Sequence, residues 1–389
     1  ERGDAAVCQF TRQFEGRELT PETFEISTQA RQAAAARPTP QLRRSLELAA
    51  RQIRDFHHTQ APRNTGLSLP GASLTSRATP LRRVAVYAPG GTAAYPSSVL
   101  MTGIPAKVAG VKDVVLLTPN PTDAVLLAAE LAGIDQVLAL GGAQAIAAVA
   151  MGTQTIARVD KIVGPGNAYV TAAKRQVFGL CDIDSIAGPS EVLVVADRHA
   201  SPELIAADLL AQAEHDRLAC PILVTDDPNL LPRVAAALRD QLADLPRAEI
   251  AAAALTDHGA LVLVQDRAAM VAEANAYAPE HLELLVQNPR ELVPELTTSG
   301  AIFIGPFTPE AAGDYTAGPS HVLPTAGAAR FASPLGVWDF IKYTSILELG
   351  AETLAAQAQA ITDIARAEGL EAHARAVELR LQQNQGSSS

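Results

Sequence analysis

Four short segments of the sequence combine the residue types that bind metal ions or transfer protons. They are Gln212-Ala-Glu-His-Asp216, Tyr277-Ala-Pro-Glu-His281, Gly313-Asp-Tyr-Thr-Ala-Gly-Pro-Ser-His321 and Glu368-Gly-Leu-Glu-Ala-His373. Carboxylate, imidazole and amide groups are ligands for divalent metals, and the first two also act as general acids and bases. Each segment alone is weak evidence, because polar helix ends and turns contain the same residues.

Gln212 and His215 are three residues apart at the end of a predicted helix that begins near Pro202. This spacing places both side chains on one helix face, where they could reach one metal ion. A polar helix end without a ligand is the alternative.

Glu280 and His281 are adjacent and offer two proton-transfer groups of different pKa, although neighbouring side chains often point apart.

Asp314 and His321 lie in a segment whose glycines and proline predict rigid turns around metal-competent side chains. The alternative is an aspartate that only forms a turn. His373 shares one face of a predicted helix with Leu370 and Leu381, so this apolar stripe must pack against another surface. His373 is therefore either a core histidine or a ligand whose partners come from the covering surface.

A candidate anion site follows the strand predicted at 161–163, where Gly164-Pro-Gly-Asn167 turns into a helix. Backbone N–H groups at a helix start can hold a phosphate or a carboxylate. The dinucleotide fingerprint G-x-G-x-x-G requires glycine at the position of Tyr169. Spacing alone therefore does not demonstrate NAD binding.

The composition indicates a globular protein. The 389 residues are 48% hydrophobic and 19% charged, with a formal net charge of −11. We expect no nucleic-acid partner, because phosphate binding needs a basic surface. Two uncharged runs, 84–106 and 137–157, contain prolines, paired glycines or glutamines and predict buried segments with turns, not membrane spans. Three cysteines without C-x-x-C spacing favour a reducing, cytoplasmic location.

Residues 1–75 are predicted to be mainly helical. Thr39-Pro40 is typical of a capped helix start, and apolar residues at spacings of four and three follow from Leu42 to Phe56. This stripe indicates packing, and the adjacent His57-His58 pair is expected to face solvent. Residues 62–80 are rich in Gly, Ser, Thr and Pro and predict a connecting loop.

From residue 83 onwards, short β-branched runs alternate with helical stretches. The predicted strands are 83–87, 113–117, 136–140 and 161–163 and, after a Gly188-Pro189 break, 191–196, 220–225, 259–264 and 301–304. This alternation favours two α/β units with parallel sheets and a ligand cleft between them at the carboxyl ends of strands. Residues 350–382 are predicted to be helical, and 383–389 to be a frayed tail.

Taken together, the segments resemble the histidinol dehydrogenase family, in order and over nearly the whole chain. Besides the four segments above, the resemblance is carried by Tyr87-Ala-Pro-Gly-Gly with Ala94-Tyr-Pro-Ser-Ser-Val-Leu-Met101, Gly141-Gly-Ala-Gln144, Gly164-Pro-Gly-Asn-Ala-Tyr-Val170 and Ala187-Gly-Pro-Ser-Glu-Val192. One such motif is weak evidence, whereas eight in register are specific. The sequence opens inside what resembles the family's Arg-Gly-Asp-Ala stretch, so we expect the family's first N-terminal helical region to be missing from it.

The resemblance implies an α/β fold with two incomplete Rossmann-like parallel-sheet domains and helical N- and C-terminal extensions. The expected parts are a helical segment at 1–75, Rossmann-like domains at 76–190 and 191–330, and a helical segment for dimer contacts at 331–389. The resemblance further implies a homodimer with sites shared between subunits, one Zn²⁺ per subunit, and two oxidations by NAD. These would convert L-histidinol through L-histidinal to L-histidine, the last steps of histidine biosynthesis.

Carried over by position, the resemblance also implies roles for individual residues. Zinc would be bound by Gln212, His215, Asp314 and His373, a mixed set that suits a zinc ion orienting the substrate. His281 would take the hydroxyl proton as general base, and Glu280 would activate the water of the second oxidation. The substrate would be contacted by Ser190, His281, His321, Glu368 and the four zinc ligands. NAD would be contacted by Tyr87, Gln144 and Asn167. Glu368 and His373 are expected to act in the neighbouring subunit's site.

Two other functions remain open on the sequence. A paralogous zinc- and NAD-dependent dehydrogenase of another small amino or hydroxy alcohol would use the same ligands. Glu368 and His321 argue against it, because both match contacts to the imidazole side of histidinol. A zinc hydrolase or an anion-binding, non-redox protein would explain the missing fingerprint and the turn at Gly164.

Overall fold

The computed structural model describes residues 2–90 and 95–386. Its helices are α1 (Asp4–Glu15), α2 (Thr28–Ala35), α3 (Pro40–His58), α4 (Pro96–Val108), α5 (Asp123–Ala132), α6 (Gly142–Met151), α7 (Ala168–Val177), α8 (Pro202–Ala213), α9 (Leu230–Leu242), α10 (Ala248–Asp257), α11 (Arg267–Tyr277), α12 (Glu310–Tyr315), α13 (Ala351–Ala367) and α14 (Glu371–Gly386). Its strands are β1 (Thr65–Leu69), β2 (Ala72–Pro80), β3 (Arg83–Tyr87), β4 (Asp113–Leu117), β5 (Gln136–Leu138), β6 (Lys161–Val163), β7 (Asp182–Ile183), β8 (Glu191–Ala196), β9 (Cys220–Thr225), β10 (Ala260–Leu263), β11 (His281–Leu285), β12 (Ala301–Ile304) and β13 (Ile341–Leu349).

The chain divides into two compact units, which are described separately. The first comprises Glu1–Ala61 and Leu81–Phe340, and the second comprises Pro62–Pro80 and Ile341–Ser389. The four-part division expected from the sequence stays a prediction. The motif residues 91–94 and the tail residues 387–389 lie outside the described residues, whereas residues 383–386 continue α14 instead of fraying.

The first unit contains two five-stranded sheets in which every neighbouring pair of strands is parallel. The strand orders are β5-β4-β3-β6-β7 and β10-β9-β8-β11-β12. In each sheet the first strand of the chain lies in the middle and later strands are added on both sides, with helices as connections, as in Rossmann-like folds. The expected α/β fold class is confirmed.

After their first residues, Arg83 and Glu191, the central strands β3 and β8 are almost entirely apolar because both faces of a parallel sheet are covered. All six residues of β8 are buried, as are the residues of β3 after Arg83. Burying one aliphatic side chain contributes about 1.5–3 kcal/mol relative to leaving it exposed. The buried residues of β3 and β8 therefore fix the positions of both strands, and with them the positions of the polar residues at the strand ends.

Helix α3 begins where the sequence predicts, because the Thr39 side chain accepts a hydrogen bond from the backbone N–H of Leu42 at 3.2 Å. The prediction that both histidines at its end face solvent is wrong for His57, although His58 is exposed. His57 is fully buried, and its Nδ1 lies 2.8 Å from the carbonyl oxygen of Ile53. Helical periodicity places His57 on the buried face, four residues after Ile53.

The second unit contains the antiparallel sheet β1-β2-β13 and the helices α13 and α14. The prediction of a loop at 62–80 is wrong, because these residues form a hairpin whose second strand pairs with β13 along its whole length. The C-terminal region that was expected to be helical therefore includes a strand. Local composition did not reveal this sheet, because its partner strand lies far away in the sequence.

The two uncharged runs fold into ordinary elements of the first unit. The run 84–106 contains most of β3 and nearly all of α4, and the run 137–157 contains most of β5 and all of α6. Across the two ranges that the structure describes, no helix is both long enough and apolar enough to cross a bilayer.

Candidate functional site

The candidate catalytic residues meet at the amino-terminal edge of the second sheet. Glu280 precedes β11, His281 is its first residue, and His281 pairs with Val192 of the adjacent β8. Helix α8 runs back from the carboxyl end of β8 and ends near Gln212 at this same edge. The expectation of a site at the carboxyl ends of strands is therefore wrong for these residues, because the segments entering the strands supply them.

His281 is 4% exposed, and its Nδ1 lies 2.9 Å from the backbone carbonyl oxygen of Glu191. Because a carbonyl oxygen only accepts, Nδ1 carries the hydrogen and Nε2 is the basic nitrogen. Burial lowers the pKa of His281 to about 4, the hydrogen bond to Glu191 opposes this shift, and His215 and His321 lower the pKa further. The ring is therefore neutral near pH 7 and able to accept a proton.

Glu280 is 6% exposed, and its Oε2 accepts a hydrogen bond from the backbone N–H of Glu191 at 3.0 Å. The same oxygen lies 3.8 Å from Nδ1 of His281. Burial raises the pKa of Glu280, and the charges of Glu191 and Asp314 add to this, against the hydrogen bond from the Glu191 backbone. A carboxylate with a raised pKa is a better general base than an exposed one.

Gln212 is fully buried, and neither Oε1 nor Nε2 of its side chain has a hydrogen-bond partner among the described residues. An unsatisfied buried amide costs about 1–3 kcal/mol, so this side chain is typical of a position completed by a ligand. His215, one helical turn further on, is exposed. Its charge lowers the pKa of both Asp314 and His281, which shows that it lies near these two groups.

Asp314 lies on α12 and contacts His321 of the following loop. Nδ1 of His321 donates to the backbone oxygen of Asp314 at 3.0 Å and lies 3.7 Å from its Oδ1. Burial raises the pKa of Asp314 and lowers that of His321 to about 4. The helix can approach the sheet this closely because Gly313 has no side chain: a Cβ there would lie 2.6 Å from the ring of Phe303.

His281, Glu310 and Asp314 each offer one possible metal-ligand atom, and these atoms lie within 4.8 Å of one another. Of this group, only Asp314 belongs to the expected zinc ligands. Glu310 is an additional candidate: it is 2% exposed, and its Oε2 has no hydrogen-bond partner among the described residues. Together with the unpaired amide of Gln212, these oxygen and nitrogen donors fit a zinc ion. The particular ligand set stays a prediction.

Three further predicted substrate residues are distributed over both units. Ser190 is half-buried and directly precedes β8. Glu368 directly follows α13 as its C-cap and His373 lies in the first turn of α14, and both are exposed. In this chain His373 is therefore not a core histidine, and Leu370 beside it is also 42% exposed.

The predicted NAD residues lie at the carboxyl edge of the first sheet, where Rossmann-like folds bind nucleotides. Tyr87 ends β3, and its hydroxyl accepts a hydrogen bond from the N–H of Gly142 at 3.2 Å. Gln144 lies in the first turn of α6 and donates to Oε1 of Glu15 at 2.8 Å. The Asn167 side chain accepts two backbone hydrogen bonds at 3.1 Å and caps α7, so it also has a structural role.

Sequence reasoning assigned no role to Glu191 and Glu310, which the structure places beside His281 and Glu280. A signal for Glu191 was available in the sequence: it directly precedes an unbroken apolar run, and ionisable side chains are rarely buried without a reason. Glu310 gave no such signal, because only the folding of α12 against β11 buries it.

Comparisons with known proteins agree with this architecture. An acetylating aldehyde dehydrogenase from Geobacillus thermoglucosidasius shares the fold, with a TM-score of 0.52 and 13% identity over 89% of this chain and 98% of that chain. A crystal structure of histidinol dehydrogenase from Elizabethkingia anophelis matches with a TM-score of 0.93 and 39% identity, over 98% of this chain and 89% of that chain.

The family model described as histidinol dehydrogenase matches residues 1–381. Histidinol dehydrogenases from Rhizobium meliloti (strain 1021) and Aquifex aeolicus (strain VF5) are 52% and 49% identical, over 98% of this chain and 89% of each relative. Fold and family together define an oxidoreductase. The chain belongs to the histidinol dehydrogenase family.

Proposed function

We propose that the protein oxidises L-histidinol to L-histidine through L-histidinal, using two molecules of NAD and one zinc ion per subunit. The observation that carries this proposal is the neutral imidazole of His281 with the buried carboxyl group of Glu280 3.8 Å from its Nδ1. The buried, unpaired amide of Gln212 supports it as a position completed by a ligand. Such a site can bind a polar substrate and remove protons from it. We further propose a cytoplasmic homodimer whose two sites each take Glu368 and His373 from the partner subunit.

In the first oxidation, Nε2 of His281 accepts the hydroxyl proton while the carbon loses a hydride. NAD, when bound, supplies the hydride acceptor for both oxidations. The hydrogen bond from Nδ1 to the Glu191 carbonyl fixes the tautomer that this step needs. Because burial keeps His281 neutral, the base is present in its active form near pH 7.

In the second oxidation, Glu280 takes a proton from the water that adds to the aldehyde. The resulting hydrate anion then loses a second hydride to give the carboxylic acid, which releases its remaining proton and becomes a carboxylate. Glu280 suits this step because its raised pKa makes it a stronger base once ionised. The two proton transfers are therefore assigned to two adjacent residues with different environments.

The zinc ion would be held by Gln212, His215, Asp314 and His373 of the partner subunit. When bound, it would act as a Lewis acid and orient the amine and imidazole of the substrate. Ser190, His321 and Glu368 would contact the rest of the substrate, and Tyr87, Gln144 and Asn167 would contact NAD.

The decisive test is to add L-histidinol and NAD and to follow NADH absorbance. We expect two NADH for each L-histidinol consumed, with L-histidine as product. A higher kcat/KM for another small amino or hydroxy alcohol would favour a paralogous dehydrogenase instead. Absence of NADH with all of these alcohols would contradict the proposal and leave the hydrolytic and anion-binding alternatives.

Removing zinc with a chelator should abolish activity without unfolding the protein. The physical reason is that the first unit has an extensive core of its own, unlike small domains that fold only with metal. Activity assays and circular dichroism before and after chelation check both parts.

His215→Ala should also lower the zinc content below one per chain, whereas His258→Ala, at an exposed histidine, should not. One full, tightly held zinc in His215→Ala would remove His215 from the ligand set.

Gln144→Ala should raise the KM for NAD about tenfold, which corresponds to about 1.4 kcal/mol of lost binding. Steady-state kinetics with varied NAD and saturating L-histidinol measure this change. Gln32→Ala, at an exposed glutamine of α2, is the matched control. An unchanged KM for NAD would mean that Gln144 only holds Glu15 in place.

A further inference from the structure

Glu191 joins both members of the proposed catalytic pair. It is 7% exposed. Its backbone N–H donates to Oε2 of Glu280 at 3.0 Å, and its backbone oxygen lies 2.9 Å from Nδ1 of His281. Its side chain is equally engaged: Oε2 accepts the backbone N–H of Glu280 at 3.4 Å, and Oε1 accepts that of Ala326 at 3.0 Å.

The hydrogen bonds between Glu191 and Glu280 are reciprocal, because each carboxyl group accepts the backbone N–H of the other residue. This arrangement links the starts of two adjacent strands, β8 and β11, and fixes one carboxyl oxygen of Glu280. This bond therefore sets the direction in which the Glu280 carboxyl group points. Burial makes other orientations of Glu280 costly, because they would leave buried N–H groups unpaired.

The carboxyl group of Glu191 has no ion-pair partner from lysine or arginine in the part of the chain that the structure describes. The titratable groups around it are Glu280, Tyr277 and Cys220, all of which are neutral or negative. A buried carboxyl group without a cation is unfavourable for stability. The Glu191 side chain contributes two hydrogen-bond acceptors to the site, one for the backbone N–H of Glu280 and one for that of Ala326.

We propose that Glu191 is a positioning residue that holds Glu280 in the orientation needed for the second, water-dependent oxidation. This inference rests on the proposed function of Glu280 and His281. The effect is directed at the second oxidation because the side chain of Glu191 accepts the backbone N–H of Glu280 and so fixes the backbone from which the Glu280 carboxyl group extends. Substitution of the Glu191 side chain removes this bond, whereas the backbone carbonyl of Glu191 that holds the His281 ring stays in place.

Glu191→Gln tests the inference, because an amide cannot accept a hydrogen bond at both of its ends. The oxidations of supplied L-histidinal and of L-histidinol to the first NADH are measured separately. We expect kcat for L-histidinal to fall by at least about tenfold with little change in KM, while L-histidinol oxidation changes less than about threefold. Glu191→Asp, too short to reach both N–H groups, gives the same comparison if the glutamine variant does not fold.

Val234→Ala is the control for a merely structural effect, because it truncates a fully buried residue of α9 in the same unit. It should lower the melting temperature without changing the ratio of the two rates. The double variant Glu191→Gln/Glu280→Gln should oxidise L-histidinal no more slowly than Glu280→Gln alone, because both changes act through one group.

Equal loss of both rates in Glu191→Gln, or fully additive effects in the double variant, would overturn the positioning role. The proposed function itself is judged on the unmodified protein and on the Glu280 and His281 variants. If those behave as expected and Glu191→Gln does not, only the inference about Glu191 fails.

Discussion

Replacing His281 with asparagine should slow L-histidinol oxidation by about 10²–10⁴-fold, the usual cost of losing a general base. Asparagine cannot accept the hydroxyl proton, whereas the neutral imidazole in the native site can. Glu280→Gln should instead slow the oxidation of supplied L-histidinal more than formation of the first NADH. Stopped-flow measurement of NADH with each substrate separates the two effects.

The controls for this pair are His58→Asn and Glu203→Gln, which change an exposed histidine and an exposed glutamate. Both should retain the native rates. If His281→Asn and Glu280→Gln both oxidise L-histidinol at near the native rate, the assignment of roles is wrong. If the two variants lose the same rates in the same proportion, the division of labour between Glu280 and His281 is wrong.

Mixing His281→Ala chains with His373→Ala chains should restore about a quarter of the native activity, although each variant alone is inactive. In a homodimer with shared sites, a mixed dimer has one site with both defects and one site with none. Random pairing makes half of the dimers mixed, and half of their sites are intact. The exposed position of His373 on α14 is consistent with a role outside its own chain's core.

Native mass spectrometry should confirm that mixed dimers form before activity is measured. If they form and the mixture stays inactive, each site is built from one chain and His373 acts in its own. His258→Ala in place of His373→Ala is the matched control, since it removes an exposed histidine outside the proposed site. That variant should be active by itself.

Much of the local architecture follows from residue type and order. The apolar runs predicted at 83–87, 113–117 and 191–196 are strands, and they pair in parallel as the alternation with helices predicts. Thr39 caps α3 at the predicted residue. The strand positions and the helix cap depend on neighbours within a few residues, and the parallel pairing follows because a helix separates each strand from the next.

Tertiary structure alone decided the features that depend on distant partners. The strands β1 and β2 appear in a region whose composition predicts a loop, because pairing with β13 stabilises them. The same holds for the site: sequence motifs pointed to Glu280, His281 and Asp314, but folding placed them at the amino edge of the second sheet and brought Glu191 and Glu310 beside them. Burial, hydrogen bonding and the resulting pKa values belong to that assembled edge, since no single segment contains the groups that produce them.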